Sequence, residues 1–334
     1  MHDIDELREL RDFDTGTPPL DDETRRRARA RLLAAMNGTA GRVRPRRPVL
    51  RIALTAGLAA AVAAGVLVAV RDDDGTGTHR TAKPPATSAP AMRNVSVQTV
   101  LKGAAAYARE HERTVRPRDD QFIYTKEIIK ETNQKTGATR SYSDENWRSV
   151  DGSERGWTME IGKGWWSPPL KKGESVWPPQ DWGTLRKLPT DPEQLILSIA
   201  NEFGGRTTSL DGLGDEEWSQ IHFSLAGLLK LVPVMPEGLR PAAYEALGMV
   251  PGVKVVPGQK DAKGRTGVAI TYDDPTLPKG SAGFGGYFIF DPVTYEFLGF
   301  RDVRTSGDGA AMKTYTQLSY LDSWAVVDKV KQRP

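Results

Sequence analysis

Among residue types able to support chemistry, tryptophan stands out. The 334-residue chain has eight, and six of them fall between Trp147 and Trp182. An indole offers a broad apolar face and a single N–H donor. Such a concentration suits a groove for lipid tails, glycan or peptidoglycan, and equally suits helices packed on a sheet. Trp165 and Trp166 are adjacent, so on a strand they point to opposite faces and one core cannot bury both. With Trp177 and Trp182 in the Pro-rich passage that follows, they form the candidate ligand-binding set.

Catalytic signatures are missing. No Ser is followed three positions later by Lys, and no Gly-x-Ser-x-Gly elbow occurs, so Lys135-Thr136-Gly137 reads as a turn. Beyond residue 94 the histidines are His111 and His222, and the chain has no Cys. Thiol nucleophiles, disulfides and thiolate metal sites are therefore excluded, and a transition-metal site would have to be carboxylate-rich. Gly283-Phe284-Gly285-Gly286 lacks the Lys-Ser/Thr ending and the following helix of a phosphate loop. No catalytic residue, metal site or cofactor is assigned. The rival to a binding domain is an envelope hydrolase using paired carboxylates. Two carboxylates about 5 to 10 Å apart in a polar cleft would favour it, whereas a groove lined by Trp165, Trp166, Trp177 or Trp182 without clustered carboxylates would favour binding.

The elements that must carry these residues begin with an address. Ile52 to Val70 is 19 residues of Ala, Val, Leu, Ile and Gly with Thr55 its one polar member. As a helix it reaches about 29 Å, close to the hydrocarbon thickness of a bilayer. Ten Arg and no acid lie between Arg25 and Arg51, while Asp72, Asp73 and Asp74 follow Arg71. Positive flanks stay in the cytoplasm, so the N-terminus is expected inside and the C-terminal domain outside, a single-pass type II arrangement at the cell membrane. Residues 1–71 carry 13 basic and 9 acidic groups, which leaves 33 and 34 for the rest. The outer part is nearly neutral, so the overall pI near 8.9 speaks for anchoring and against nucleic-acid binding.

Four regions follow: a cytoplasmic Arg-rich segment with two short helices at 1–48, a transmembrane helix at 49–71, a disordered linker at 72–93, and an extracytoplasmic domain at 94–334. The stub either docks a cytoplasmic partner through residues 1–36, such as a sigma factor, or sets topology on anionic headgroups. Periodicity predicts a helix at Val97 to Glu110 and strands at Gln121 to Lys130, Arg140 to Val150 and Gly156 to Ile161. Helices are expected after Thr190-Asp191-Pro192, from Asp215 to Leu231, and from Pro236 to Leu247. Strands resume at Val253 to Val256, Thr266 to Tyr272, Gly286 to Phe290, Phe297 to Thr305 and Lys313 to Tyr320. Runs of strands, then helices, then strands give α+β: an antiparallel sheet, flat or curved into a half-barrel, covered by about three to four helices and preceded by the transmembrane helix.

Several stretches together resemble a family of uncharacterised actinobacterial single-pass membrane proteins. They are Leu7-Arg8-Glu9-Leu10-Arg11, Ala30-Arg31-Leu32-Leu33-Ala34-Ala35, Leu188-Pro189-Thr190-Asp191-Pro192, Ala246 to Val253, Gly264 to Ala269 and Phe290 to Gly299. That resemblance carries no activity and no catalytic residues. At fold level the pattern is similar to lipoprotein-carrier and sigma-regulator periplasmic domains, in which a sheet wraps helices and can hold an acyl chain. The expectation is a non-enzymatic envelope domain that binds a lipid, a glycan or an envelope protein. An anti-sigma-type regulator acting through the stub is a further alternative, although the His and Cys pattern of zinc-containing anti-sigma domains is missing.

Overall fold

The computed structural model describes residues 50–52, 95–171, 175–202, 206–277, 285–306 and 312–334. The cytoplasmic segment at 1–48, the linker at 72–93 and, of the expected transmembrane helix at 49–71, residues 49 and 53–71 lie outside them. Among the described residues no helix is long and apolar enough to cross a membrane. Leu50–Ile52 (β1), three residues of the expected transmembrane helix, pairs in parallel with Ser175–Trp177 (β6).

The fold is α+β, built on an open nine-stranded antiparallel sheet. A first meander holds Phe122–Asn133 (β2), Thr139–Ser149 (β3), Gly156–Glu160 (β4) and Lys163–Ser167 (β5). A second holds Val253–Lys260 (β7), Thr266–Tyr272 (β8), Tyr287–Phe290 (β9), Phe297–Ser306 (β10) and Lys313–Val327 (β11). The spatial order is β5-β4-β3-β2-β11-β10-β9-β8-β7, so the seam between the meanders is the long β2·β11 ladder. Turn chemistry sets the first register: Asn133 Oδ1 accepts the backbone N–H of Lys135 and of Thr136, each at 3.0 Å, and Gly137 takes φ +70°.

Among the described residues five helices lie between or before the meanders: Val97–His111 (α1), Trp182–Leu185 (α2), Pro192–Glu202 (α3), Asp215–Leu231 (α4) and Leu239–Met249 (α5). Their ends follow from local chemistry. Ser96 caps α1 by accepting the Thr99 N–H at 3.1 Å, and Asp191 accepts the Gln194 N–H at 2.9 Å with Pro192 in the first turn. Glu217 reaches back to the Gly214 N–H at 3.0 Å, and three acids open α4. The α5 start is supplied from outside: the Glu112 carboxylate accepts the Gly238 N–H at 3.0 Å, and Gly238 sits at φ +79°.

The helices cover one face of the sheet. The main core joins Leu101, Ile196, Ile221, Leu225 and Leu247 to Val268, Ile270, Phe288, Phe290 and Phe300. Arg148 ties the first meander to this layer by donating to the Leu231 carbonyl at the end of α4, at 3.1 Å. Burial draws its guanidinium down to about 10.

Candidate functional site

A cavity of about 620 Å³ lies between the helical layer and the seam of the sheet. That volume falls within the range of small-molecule sites. Its walls are Ala104 and Ala108 from α1, Leu229 at the end of α4, Val234 and Met235 from the α4–α5 connection, Phe297 and Phe300 from β10, and Trp324 from β11. Ala recurs on α1 at the positions that face this space, and a small side chain there is what leaves room.

Charge gathers around the apolar walls. Arg113, Lys263, Arg265, Glu112, Glu296 and Asp322 also border the cavity. Three are engaged: Arg265 binds Asp261 at 2.7 Å, Asp322 binds Lys126 at 3.0 Å, and Glu112 holds Gly238. Lys263 instead stands over the Tyr320 ring at 4.3 Å, and Arg113 makes no ion pair among the described residues.

Glu127 borders the same cavity from β2, and its cross-strand partner on β3 is Asp144. Burial, followed by the charges of Asp144, Asp302 and Glu160, lifts Glu127 to about 7 against the opposing pull of Lys230. Asp144 is lifted to about 6, again mainly by burial, while the Ile161 N–H it accepts at 3.1 Å works the other way. Lys230 is held by Asp302 on β10 at 2.5 Å.

The tryptophans separate. Trp177 and Trp182 belong to the main core, only 3 % and 6 % exposed, with the Trp177 indole donating to the Ser224 carbonyl at 3.2 Å. Trp165 and Trp166 lie on β5, the free edge of the sheet, and are 40 % and 41 % exposed. The four candidates therefore line no common groove. Trp166 instead ends a row that crosses four strands of the outer face: Tyr124, Trp147, Trp157 and Trp166 are successive cross-strand partners. The C-terminal segment covers that row. Trp147 donates to the Gln332 carbonyl at 2.5 Å, Lys331 stands 3.4 Å over Trp157, and Arg333 binds Glu145 at 2.9 Å.

Sequence reasoning missed the cavity altogether, because its lining comes from separate stretches that no spacing rule links. Other combinations do not assemble into chemistry. Ser219, His222 and Asp274 come near one another, but Ser219 donates directly to Asp274 at 2.6 Å and His222 is stacked on Tyr272 at 3.9 Å. That arrangement gives Ser219 no base to activate it. Burial holds His222 down to about 4, so it stays neutral. Among the described residues no group of His, Asp and Glu could hold a metal ion. Comparison with protein families, with curated proteins and with solved structures finds no match to this chain.

Proposed function

We propose that the domain is a non-enzymatic binding module of the cell envelope, taking the apolar chain of an amphipathic ligand into the cavity between helices and sheet. The observation that carries this reading is the cavity itself: about 620 Å³, with apolar walls at Ala104, Ala108, Phe297, Phe300 and Trp324, and with His111, Asp322 and charged groups beside them. Burying an acyl chain against Ala108, Met235, Phe297 and Trp324 is favoured at about 25 cal/mol per Å² of apolar surface. A polar headgroup is accommodated at the rim, where Arg113 and Lys263 present cations.

A hydrolase is the second reading, favoured by the neighbouring carboxyls of Glu127 and Asp144. Glycoside cleavage needs one carboxyl held as acid and the other kept ionised, flanking the scissile bond. Here both are raised, to about 7 and about 6, and they stand side by side on one sheet face. That pattern supports binding over hydrolysis.

The decisive experiment purifies the full chain and identifies co-eluting lipid by mass spectrometry, beside an Ala108→Phe variant that fills the cavity. A stoichiometric amphiphile lost in the variant, with the melting temperature kept, supports the reading. No bound lipid, together with unchanged tryptophan emission on adding envelope lipid extract, overturns it.

The membrane address belongs to the same proposal and rests on the uncharged Ile52 to Val70 stretch and its arginine-rich flank. In one molecule, a span starting at Ile52 and the β1–β6 pairing exclude each other, because Leu50–Ile52 would sit on the far side of the bilayer from β6. A reporter enzyme fused after Pro334 separates them: activity outside the cytoplasm supports the span, and activity only inside removes it.

A further inference from the structure

We propose that the β4–β5 edge is a docking element for an anionic lipid surface. It uses residues distinct from those of the cavity, so the two readings stand or fall separately.

Eight large hydrophobic side chains are exposed among the described residues, and three of them, Ile161 (37 %), Trp165 and Trp166, fall within six positions. Among the described residues β5 pairs on one side only, with β4, and four of its five residues are exposed. The register puts Trp166 beside Trp157 on the outer face, while Trp165 and Lys163 share the opposite face. A protein core or a flat partner would cover one of these faces. A bilayer interface takes in both sides of a projecting edge, and the indole, with an apolar body and one donor, suits that depth.

The backbone of this region is unusual in the same sense. Of the three non-glycine residues at positive φ among the described residues, two are here: Ile161 at +51° in the β4–β5 turn and Lys331 at +67°. A β-branched residue in the left-handed region is an outlier, kept where something other than local stability requires that side chain. Asp144 accepts the Ile161 N–H at 3.1 Å and so holds the turn with its apolar side chain turned to solvent. Glycine or asparagine would serve the turn better; neither would place an apolar group at its tip.

Charge selects the occupant. Arg155 lies 4.8 Å over the Trp166 ring, Lys331 lies 3.4 Å over Trp157 and 4.6 Å over Trp166, and Lys163 flanks Trp165. None of the three forms an ion pair with a carboxylate among the described residues, though Glu154 adjoins Arg155 in sequence and Glu160 is the cross-strand partner of Lys163. Cations interleaved with indoles match anionic headgroups above an apolar layer.

The absence of cysteine makes the test local. In the full chain, Ile161→Cys creates a single thiol for a polarity-sensitive dye, and Val293→Cys, at a 72 % exposed position in the β9–β10 turn, serves as the control. Both proteins are placed in vesicles of phosphatidylcholine with or without phosphatidylglycerol, each containing a headgroup nitroxide lipid. The proposal expects a blue shift and quenching at 161 only with phosphatidylglycerol, and none at 293. Lys163→Gln and Arg155→Gln should each lower the ratio of quenched to unquenched dye about fivefold, with cavity lipid and melting temperature unchanged. Equal quenching in both vesicle types, a dye at 161 left in water, or shielding that grows with protein concentration without lipid overturns the proposal, the last by assigning the edge to a second copy of the chain.

Discussion

In the second meander the aromatic side chains Phe288, Phe290, Phe297 and Phe300 turn toward the helices, whereas in the first meander Tyr124, Trp147 and Trp157 turn away from them. What the first meander presents to the helical side is mostly polar, Glu127, Asp144, Asn146 and Arg148, with Ile123 joining the main core. The large aromatic side chains of one continuous sheet thus change faces across the β2·β11 seam, while Ala269, Ile289 and Leu298 keep a smaller apolar cluster apart from the main core. The cavity lies at that seam, with Glu127 on one flank and Phe297, Phe300 and Trp324 on the other. A site at such a junction suits a ligand that is itself apolar at one end and polar at the other.

The most direct way to break this comparison is to weigh the two aromatic sets. Phe290 is fully buried and meets Tyr244 at 5.5 Å and Phe297 at 5.6 Å. Phe290→Ala is expected to lose about 4 kcal/mol in urea unfolding. Trp147→Ala removes a ring from a smaller cluster that the C-terminal segment covers, and about 3 kcal/mol is expected, the low end for such a truncation. A larger loss for Trp147 than for Phe290 would mean that the outer row, and not the helical core, organises the sheet.

A smaller effect sharpens the outer row. At Gly164 an added methyl would enter the Trp157 ring, which lies across the β5 backbone. Gly164→Ala should cost about 1 to 3 kcal/mol through overpacking, and should increase the exposure of Trp166, read as a red shift in tryptophan emission. No change in either would show that the β4–β5 edge yields freely and that the row ends at Trp157.

Much of the α+β order was legible in the sequence, and the reasons are local. α4 runs over Asp215–Leu231 as expected, because three acids mark its start and its apolar period is unbroken. β8 follows its Val, Ile and Tyr content over Thr266–Tyr272. β11 runs to Val327, seven residues beyond the expected end, because a register shift between Leu321 and Ser323 interrupts the alternation. β5 escaped notice because Gly164 and Ser167 dilute its strand character. α5 starts at Leu239 and not at Pro236, because the left-handed Gly238 must precede it. For the site, one expectation was physical and held: adjacent Trp165 and Trp166 are not both buried. The cavity and the Glu127–Asp144 pairing depend on register between distant strands, which no window of sequence contains.

The smallest expected effect tests the polar flank alone. Glu127 is raised from about 4.5 to about 7 by burial first, so the native state holds its proton more tightly than the unfolded chain does. Its stability contribution is therefore full below about 4.5 and is lost as pH rises through about 7. Asp144, raised to about 6, has the same sign. His222 has the opposite one: lowered to about 4, it contributes fully above 6.5, and that contribution is lost as pH falls toward 4. Because the two trends oppose, the wild-type curve alone is uninformative, and the difference from Glu127→Gln isolates the carboxyl. Relative to the variant, the wild type should lose on the order of 1 kcal/mol between pH 4.5 and 7, the shift being discounted for partial solvent access. A flat difference would mean that Glu127 titrates as it would in water, in which case the first meander offers the cavity an open, hydrated flank and an acyl chain would find only one apolar wall.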